Sequence, residues 1–345
     1  MDEEQSKLRR LNFPQKGIKL STNGKSILTF GEPLVVFSRS GYEGIANDRQ
    51  FKADYAGAEL NTAIGLARLG FQVVFSAAVG DDPFGEFIIR ELRAEGIDVR
   101  FVKIAPEYST GIFFKTISGL DRDPRVDYYR SQSPMAFGQF SASDCLSIIK
   151  SGAIGWVHTT GITRMVSNST RVETDHILKT SHEGNVVNSF DINIRLKLGD
   201  VSLWRQNLQE VMPLVTWLFM GDSEAKQLFE ANDPLFVYEK IRSLGFKGRG
   251  LVIKQGANGS TAITEDGLYQ EDAFPVIQVV DTVGAGDGYN AGFIAGIHAG
   301  WEIQQAMKLG SIIGAYAVSS HGDSSGYPSW RVVKKNLTQE IEVQR

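Results

Sequence analysis

Asp281-Thr282-Val283-Gly284-Ala285-Gly286-Asp287-Gly288 sets two carboxylates around a glycine-rich turn, after the apolar pair Val279-Val280 and ahead of a helical pattern running through His298. Gly284 and Gly286 give the backbone conformations that other residues resist, so it can approach a ligand closely. Successive N–H groups at a helix start then form a site for a phosphate, or for the charge of a phosphoryl group in flight. Asp287, in the first helical turn, faces the same spot and can accept a proton from a substrate hydroxyl. Phosphoryl transfer through a loose transition state needs such a carboxylate for its position more than for its basicity. The alternative is an ordinary strand-to-helix turn in which Asp287 only complements the helix dipole. Gly288, Gly292 and Gly296 recur every four residues, at a cost in helix propensity, and are read as close packing of this helix on a sheet.

Such a turn needs a scaffold, and the pattern upstream supplies one. Ile27-Leu28-Thr29-Phe30 reads as a buried first strand ending at Gly31-Glu32, which puts Glu32 on a loop. Leu60, Ala63, Ile64 and Ala67 keep helical spacing before Gly70, and 73–79 is strand-like. Asp82-Pro83 then caps a helix whose face is Phe84, Phe87, Ile88 and Leu92. Apolar runs at 154–158, 186–191, 214–220 and 251–254 continue the alternation. The fold class expected is α/β, with a mostly parallel central sheet flanked by helices in three layers. One stretch breaks the rhythm. Residues 112–117 and 126–130 are β-rich runs separated only by Gly119 to Pro124, which predicts a hairpin, placed on a small β lid from about 33–52 and 110–131. Residues 1–25 read as a polar extension and 26–345 as one domain.

Composition narrows the function. Of 345 residues, 36 are Lys or Arg and 40 Asp or Glu, for a formal charge of -4 without a basic run, so a nucleic-acid partner is not expected. The single cysteine, Cys145, excludes an intrachain disulfide and an all-thiolate metal site. Neither a signal-like stretch nor an apolar run of spanning length is seen, so no membrane partner and a cytoplasmic location are expected. The first strand-to-helix turn lacks Gly-x-Gly-x-x-Gly, which argues against a dinucleotide-dependent oxidoreductase.

The motif at 281–287 resembles the C-terminal signature of the ribokinase, or phosphofructokinase B, family of carbohydrate kinases, Asp-Thr-x-Gly-Ala-Gly-Asp, at every fixed position, and the resemblance extends from Ile27 to about Trp330. It implies a ribokinase-like fold with ATP and Mg²⁺ as cofactors. Asp287 would be the catalytic base, and the amides of Gly284, Ala285, Gly286 and Asp287 the anion hole. Ala56-Gly57-Ala58-Glu59-Leu60-Asn61 looks like the family's N-terminal signature, in which Gly57 and Asn61 contact sugar hydroxyls; Ala56 stands where a second glycine is common. Lys254-Gln255-Gly256 and Gly259 resemble a segment lying along the nucleotide. Gly221-Asp222-Ser223-Glu224 falls where the family has Asn-x-x-Glu, so Glu224 would act on Mg²⁺ through water, with a plain helix-start glutamate as the alternative. Some members bind a monovalent cation such as K⁺ near the anion hole, which points to Asp281 and Thr282.

Within the family, the chain looks most like the kinases of 2-keto-3-deoxygluconate. The segments are Gly31-Glu32-Pro33-Leu34, Gly57 to Asn61, Tyr128-Tyr129-Arg130, Phe190 to Arg195, the 281–288 motif and Gly322 to Pro328. A sugar acid carries a carboxylate, and guanidinium groups bind carboxylates through charge-assisted, often bidentate hydrogen bonds. The resemblance assigns Glu32, Tyr128, Arg130 and Arg195 to the sugar acid and Asn193 to the nucleotide phosphates, with Arg130 as a solvated charge and Arg195 as a surface residue the alternatives. Phe113 replaces a lid tyrosine that touches substrate in some members, and Ser311 an asparagine near the adenine. The expectation is phosphorylation of the keto-acid at its 6-hydroxyl, in a homo-oligomer paired through the β lid. A fructokinase or another sugar kinase, or a non-catalytic sugar sensor on the same fold, is the rival reading.

Overall fold

The computed structural model of the chain describes residues 20, 24–39, 50–116 and 125–339. Most of the expected extension 1–25, residues 40–49 of the expected lid and the hairpin turn Gly119 to Pro124 lie outside the described residues. Thirteen strands follow in chain order: β1 (Ser26–Phe30), β2 (Leu34–Arg39), β3 (Lys52–Ala56), β4 (Val73–Gly80), β5 (Asp98–Ala105), β6 (Ile112–Thr116), β7 (Arg125–Tyr129), β8 (Ile154–Thr160), β9 (Val187–Asp191), β10 (Trp217–Gly221), β11 (Gly250–Lys254), β12 (Ser260–Thr264) and β13 (Gly267–Glu271).

Strand alternation explains the three layers. Ile27 and Leu28 point to opposite faces of β1, and each joins a different buried cluster. On β10, Trp217 and Phe219 enter one cluster while Leu218 and Met220 enter another. Both faces of the sheet are therefore covered by helices, as a parallel sheet requires. The order is β13-β12-β11-β10-β9-β8-β1-β4-β5. All neighbours are parallel except β11 with β12 and β12 with β13, which close one edge antiparallel. Aromatic edges seal one layer: Trp217 and Phe219 meet the ring of Phe293 at 5.0 and 5.3 Å between centroids.

Local rules set the helix ends. Asp82 accepts the N–H of Gly85 at 2.8 Å and Pro83 opens the helix Pro83–Ala94, as the sequence predicts. Cys145 is buried in the helix Ser143–Lys150. The glycine row of the helix Ala285–His298 is a correction. Gly292 and Gly296 pack on the neighbouring helix Ile303–Val318 rather than on the sheet: a methyl group on Gly292 would stand 2.7 Å from the backbone of Gly310, and one on Gly296 would stand 2.8 Å from Ala306, while one on Gly288 would meet the ring of Tyr327 at 2.9 Å. Backbone meets backbone at Gly292 and Gly310.

A second sheet, ordered β3-β2-β6-β7, is an excursion from the ends of β1 and β5. β2 and β6 run parallel, and β3 and β7 flank them antiparallel. One face presents the buried set Leu34, Val36, Ala56 and Phe113. The other packs on the helix Pro83–Ala94, with Phe37 against Phe84 at 5.7 Å and Tyr55 against Phe87 at 6.1 Å. Among the described residues, no helix is long and apolar enough to cross a membrane.

Candidate active site

Because β1, β8, β9, β10 and β11 are parallel, their C-terminal ends share one edge of the large sheet, where open α/β sheets place their ligands. A cleft of about 660 Å³ opens there, roofed by the small sheet. Its walls bring together Glu32, Gly57, Asn61, Tyr128, Arg130, Asn193, Arg195, Glu224, Lys254, Gly284, Gly286 and Asp287. Of the residues singled out in the sequence, Ala285, Gly256, Gly259 and Asp281 are not among the walls. Gly256 and Gly259 shape the turn between β11 and β12, both with positive φ. A larger hollow of about 730 Å³ lies at the opposite ends of the strands, around Val187, Trp217 and Gly248, away from the glycine turn. Volume alone does not find this site.

The glycine turn is built from both sides. Gly284 caps the helix Ala285–His298 at φ 81°, a left-handed conformation, and a Cβ on it would lie 1.8 Å from the carbonyl oxygen of Asp323. Only glycine fits. The first-turn amides that follow have no intrahelical acceptor and point out of the helix start. Tyr327 donates its hydroxyl to the carbonyl of Gly284. Arg68 holds the segment bearing Tyr327 by donating to the carbonyls of Ser324 at 2.8 Å and Tyr327 at 3.1 Å.

Asp287 lines the cleft with its side chain half-buried, and desolvation there pushes its carboxyl up to about 7. Asn61, donating to Oδ2 at 2.8 Å, favours the charged form; Asp191 opposes it, while Lys254 and Arg195 support it. Neutral at low pH and charged above about 7, the group can act as a base only in the upper range. kcat/KM is therefore expected to rise with pH through about 7. In Asn61→Ala, where the stabilising donor is gone, that limb should move to higher pH; a pH–rate profile with an unmoved limb would assign it to another group. Asn61 Oδ1 is buried without a partner and lines the cleft, so it can accept a hydrogen bond from a ligand hydroxyl. Gly57, at φ 141°, turns the chain into the helix bearing Asn61, and a Cβ there would stand 2.6 Å from the carbonyl of Glu32.

The sequence did not single out Asp191 for a role. It ends β9, accepts Lys254 Nζ at 2.7 Å and Asn290 Nδ2 at 2.6 Å through Oδ2, and leaves Oδ1 buried without a partner. A carboxylate at the buried C-terminal end of a parallel strand was the available signal. Glu224 accepts the N–H groups of Gly221 and Ile194, both at 2.6 Å, tying together the loops after β10 and β9. Burial raises its pKa, helped by Asp191 and opposed by Lys254. It thus caps its own helix and also faces the cleft. Among the described residues, no group of three or more His, Cys, Asp or Glu side chains could hold a metal. Two oxygen donors beside a nucleotide suit Mg²⁺, which keeps most of its water.

Arg130 and Glu32, both expected to meet the sugar, are engaged with each other in an ion pair, and Ser133 donates to the same carboxylate. Burial raises the pKa of Glu32, with Arg130 opposing. Arg195 is differently placed: its Nη1 donates at 2.9 Å to the carbonyl of Ile194, and among the described residues no carboxylate pairs with it. Tyr128 lies between two cations, Arg130 and Lys197, each 5.7 Å from its ring centre. Glu59 is a further group without a sequence role. It accepts the hydroxyls of Thr160 and Thr163, each at 2.7 Å, and locks the first helix to the end of β8.

Asp281, expected to face a monovalent cation, has both oxygens engaged. Oδ1 accepts the N–H of Val283 at 3.1 Å, and Oδ2 lies 2.6 Å from the ammonium of Lys115. This donor set does not fit a free cation.

The pfkB family carbohydrate kinase profile matches residues 25–330. The chain is 33% identical over 321 residues to the 2-dehydro-3-deoxygluconokinase of Bacillus subtilis (strain 168), covering 92% of this chain and 96% of that one. It is 31% identical over 315 residues to the 2-dehydro-3-deoxygluconokinase of Thermoproteus tenax, covering 90% and 94%. In fold it resembles a putative ribokinase II from E. coli in complex with ATP and Mg²⁺, with a TM-score of 0.80 at 24% identity, over 91% of this chain and 99% of that one.

Proposed function

The chain belongs to the pfkB family of carbohydrate kinases, and from that premise we propose that it transfers the γ-phosphoryl group of ATP to the 6-hydroxyl of 2-keto-3-deoxygluconate. The observation that carries the chemistry is Asp287 lining the cleft in the first turn after the glycine turn, held by Asn61, which keeps an unpartnered acceptor beside it. Asp287 takes the hydroxyl proton as the oxygen attacks. The amides after Gly284 receive the charge developing on the transferred group. Lys254 and Asn193 lie along the nucleotide phosphates, and Gly256 and Gly259 shape the turn beside them. Mg²⁺, when bound with ATP, supplies charge neutralisation, with Glu224 and Asp191 as the groups to hold its water.

The sugar-acid reading is supported by the two relatives named 2-dehydro-3-deoxygluconokinase and by Arg195. With Arg130 committed to Glu32, reading the carboxylate falls to Arg195, and Tyr128 packs against the carbon chain. Arg195→Ala is expected to raise KM for the keto-acid by roughly 10- to 100-fold, the worth of a charge-assisted pair, with a much smaller effect on a neutral sugar such as fructose. A substrate panel on both proteins, with the phosphorylated position assigned by NMR, decides. Equal loss on all substrates would remove the carboxylate role, and equal wild-type turnover on fructose would remove the acid specificity.

The small sheet serves as the lid of a single domain spanning 26–345, closing over the sugar and excluding water that would waste ATP. Its outer strand β7 leaves an open edge, with Tyr129 64% exposed, and a homo-oligomer paired lid to lid would cover it. Sedimentation reads that state directly. Dependence on cellular ATP is in keeping with work in the cytoplasm.

A further inference from the structure

Lys115 is the deepest charge in the small sheet. It sits on β6 two residues after Phe113, on the face turned to the cleft, and its side chain is 1% exposed. Its ammonium lies 2.6 Å from Asp281 Oδ2 and 2.8 Å from Asp323 Oδ1, and those side chains are 2% and 5% exposed. Burial works to lower the lysine's pKa, and the two carboxylates more than offset it, raising it above the ordinary value. Both partners belong to the frame of the glycine turn. Asp281 fixes the N–H of Val283, and the carbonyl of Asp323 is the surface against which Gly284 is seated. A second link from the same sheet reaches this frame, Ser325 donating to Asp54 on β3 at 3.0 Å.

We propose that Lys115 is a tethered cation: its ammonium holds, at Asp281 and Asp323, the frame of the anion hole that would otherwise need a free monovalent ion, and it couples the small sheet to that hole. Lys115 is a positioning residue, since it touches neither reacting oxygen. Two consequences follow. Phosphoryl transfer proceeds without K⁺, and removal of the ammonium leaves two buried carboxylates facing a gap that a small cation can enter.

The inference rests on the kinase reading, and its test separates the two. Wild-type turnover is measured in K⁺, Na⁺ and tetramethylammonium salts at equal ionic strength, and rates within twofold of one another are expected. Lys115→Ala should lose at least 100-fold in kcat with a smaller change in KM for ATP. K⁺ or methylammonium at tens of millimolar should restore part of that loss, and tetramethylammonium none. Melting temperature gives a readout without catalysis: the same small cations should raise that of Lys115→Ala and leave the wild type unmoved. Tenfold stimulation of the wild type by K⁺ overturns the proposal without any variant. So does a folded Lys115→Ala that keeps full activity, or one that no small cation rescues in rate or melting temperature. Should Lys115→Ala fail to fold, the wild-type salt panel and Lys115→Met decide. Absence of phosphoryl transfer from the wild type in every salt and with every sugar would count against the kinase reading instead, while the melting experiment would still judge the cation.

Discussion

Asp287→Asn is expected to lower kcat by roughly 10²- to 10⁴-fold, the range for losing a positioned general base, while ATP and sugar binding stay near wild type. Asparagine keeps the volume and can still meet Asn61, but it cannot take a proton. Single-turnover phosphoryl transfer measured beside calorimetric binding separates the two effects. Near-normal turnover would show that another group is the base. A second signature comes from linkage. The folded-state pKa of about 7 lies above the ordinary aspartate value of 3.8, so the contribution of this carboxyl to stability is fully present below the unfolded value and is lost as pH rises through about 7. At pH 8 the wild type therefore carries the cost of a buried charge, on the order of a few kcal/mol, and the variant does not. Asp287→Asn should melt higher than the wild type at pH 8, and that advantage should vanish toward pH 4. An inactive but more stable protein marks a site that gives up stability for chemistry.

Gly284→Ala is expected to damage both properties. The methyl group would occupy the place of the Asp323 carbonyl oxygen, at 1.8 Å, and would hold alanine at φ 81°. The left-handed conformation alone costs about 1–2 kcal/mol. Relief of the clash must move the 323 segment or the turn, and either motion re-aims the amides. Losing one such donor typically costs about 10²- to 10³-fold in kcat, and a fall of that size is expected together with a lower melting temperature. Gly286→Ala is the control, because its methyl would meet only the flexible end of Lys254, at 3.2 Å. It should melt close to wild type. If both variants melt alike, the wedge between Gly284 and Asp323 is not what seats the turn.

The parts of this site that the sequence reveals are those written in consecutive residues. Gly284, Gly286 and Asp287 announce themselves because glycines at a helix start are costly unless the backbone is needed there. The alternation of apolar runs likewise reveals the α/β layers, since each strand buries both faces. Contacts between distant segments are a different matter. Lys115 reads as the polar position of a half-buried strand, and nothing nearby says that Asp323, 208 residues away, will meet it. Arg130 was legible as a cation at the cleft, but its pairing with Glu32 depends on how the small sheet folds over β1. The glycine row at 288–296 signalled close packing but was read as packing on the sheet, because a sheet and a helix demand the same missing side chain. Asp191 is a lone carboxylate ending a strand of mixed polarity, and its partners Lys254 and Asn290 lie 63 and 99 residues away.

The glycine seam between the helices Ala285–His298 and Ile303–Val318 bears on how the base is held. Where Gly292 lies on the backbone of Gly310 there is no rotamer to exchange, so that contact cannot loosen by side-chain repacking. The helix that starts at the anion hole and carries Asp287 is thereby fused to its neighbour into one stiff beam. Any closure over the substrate must come from the roof, with the base standing still.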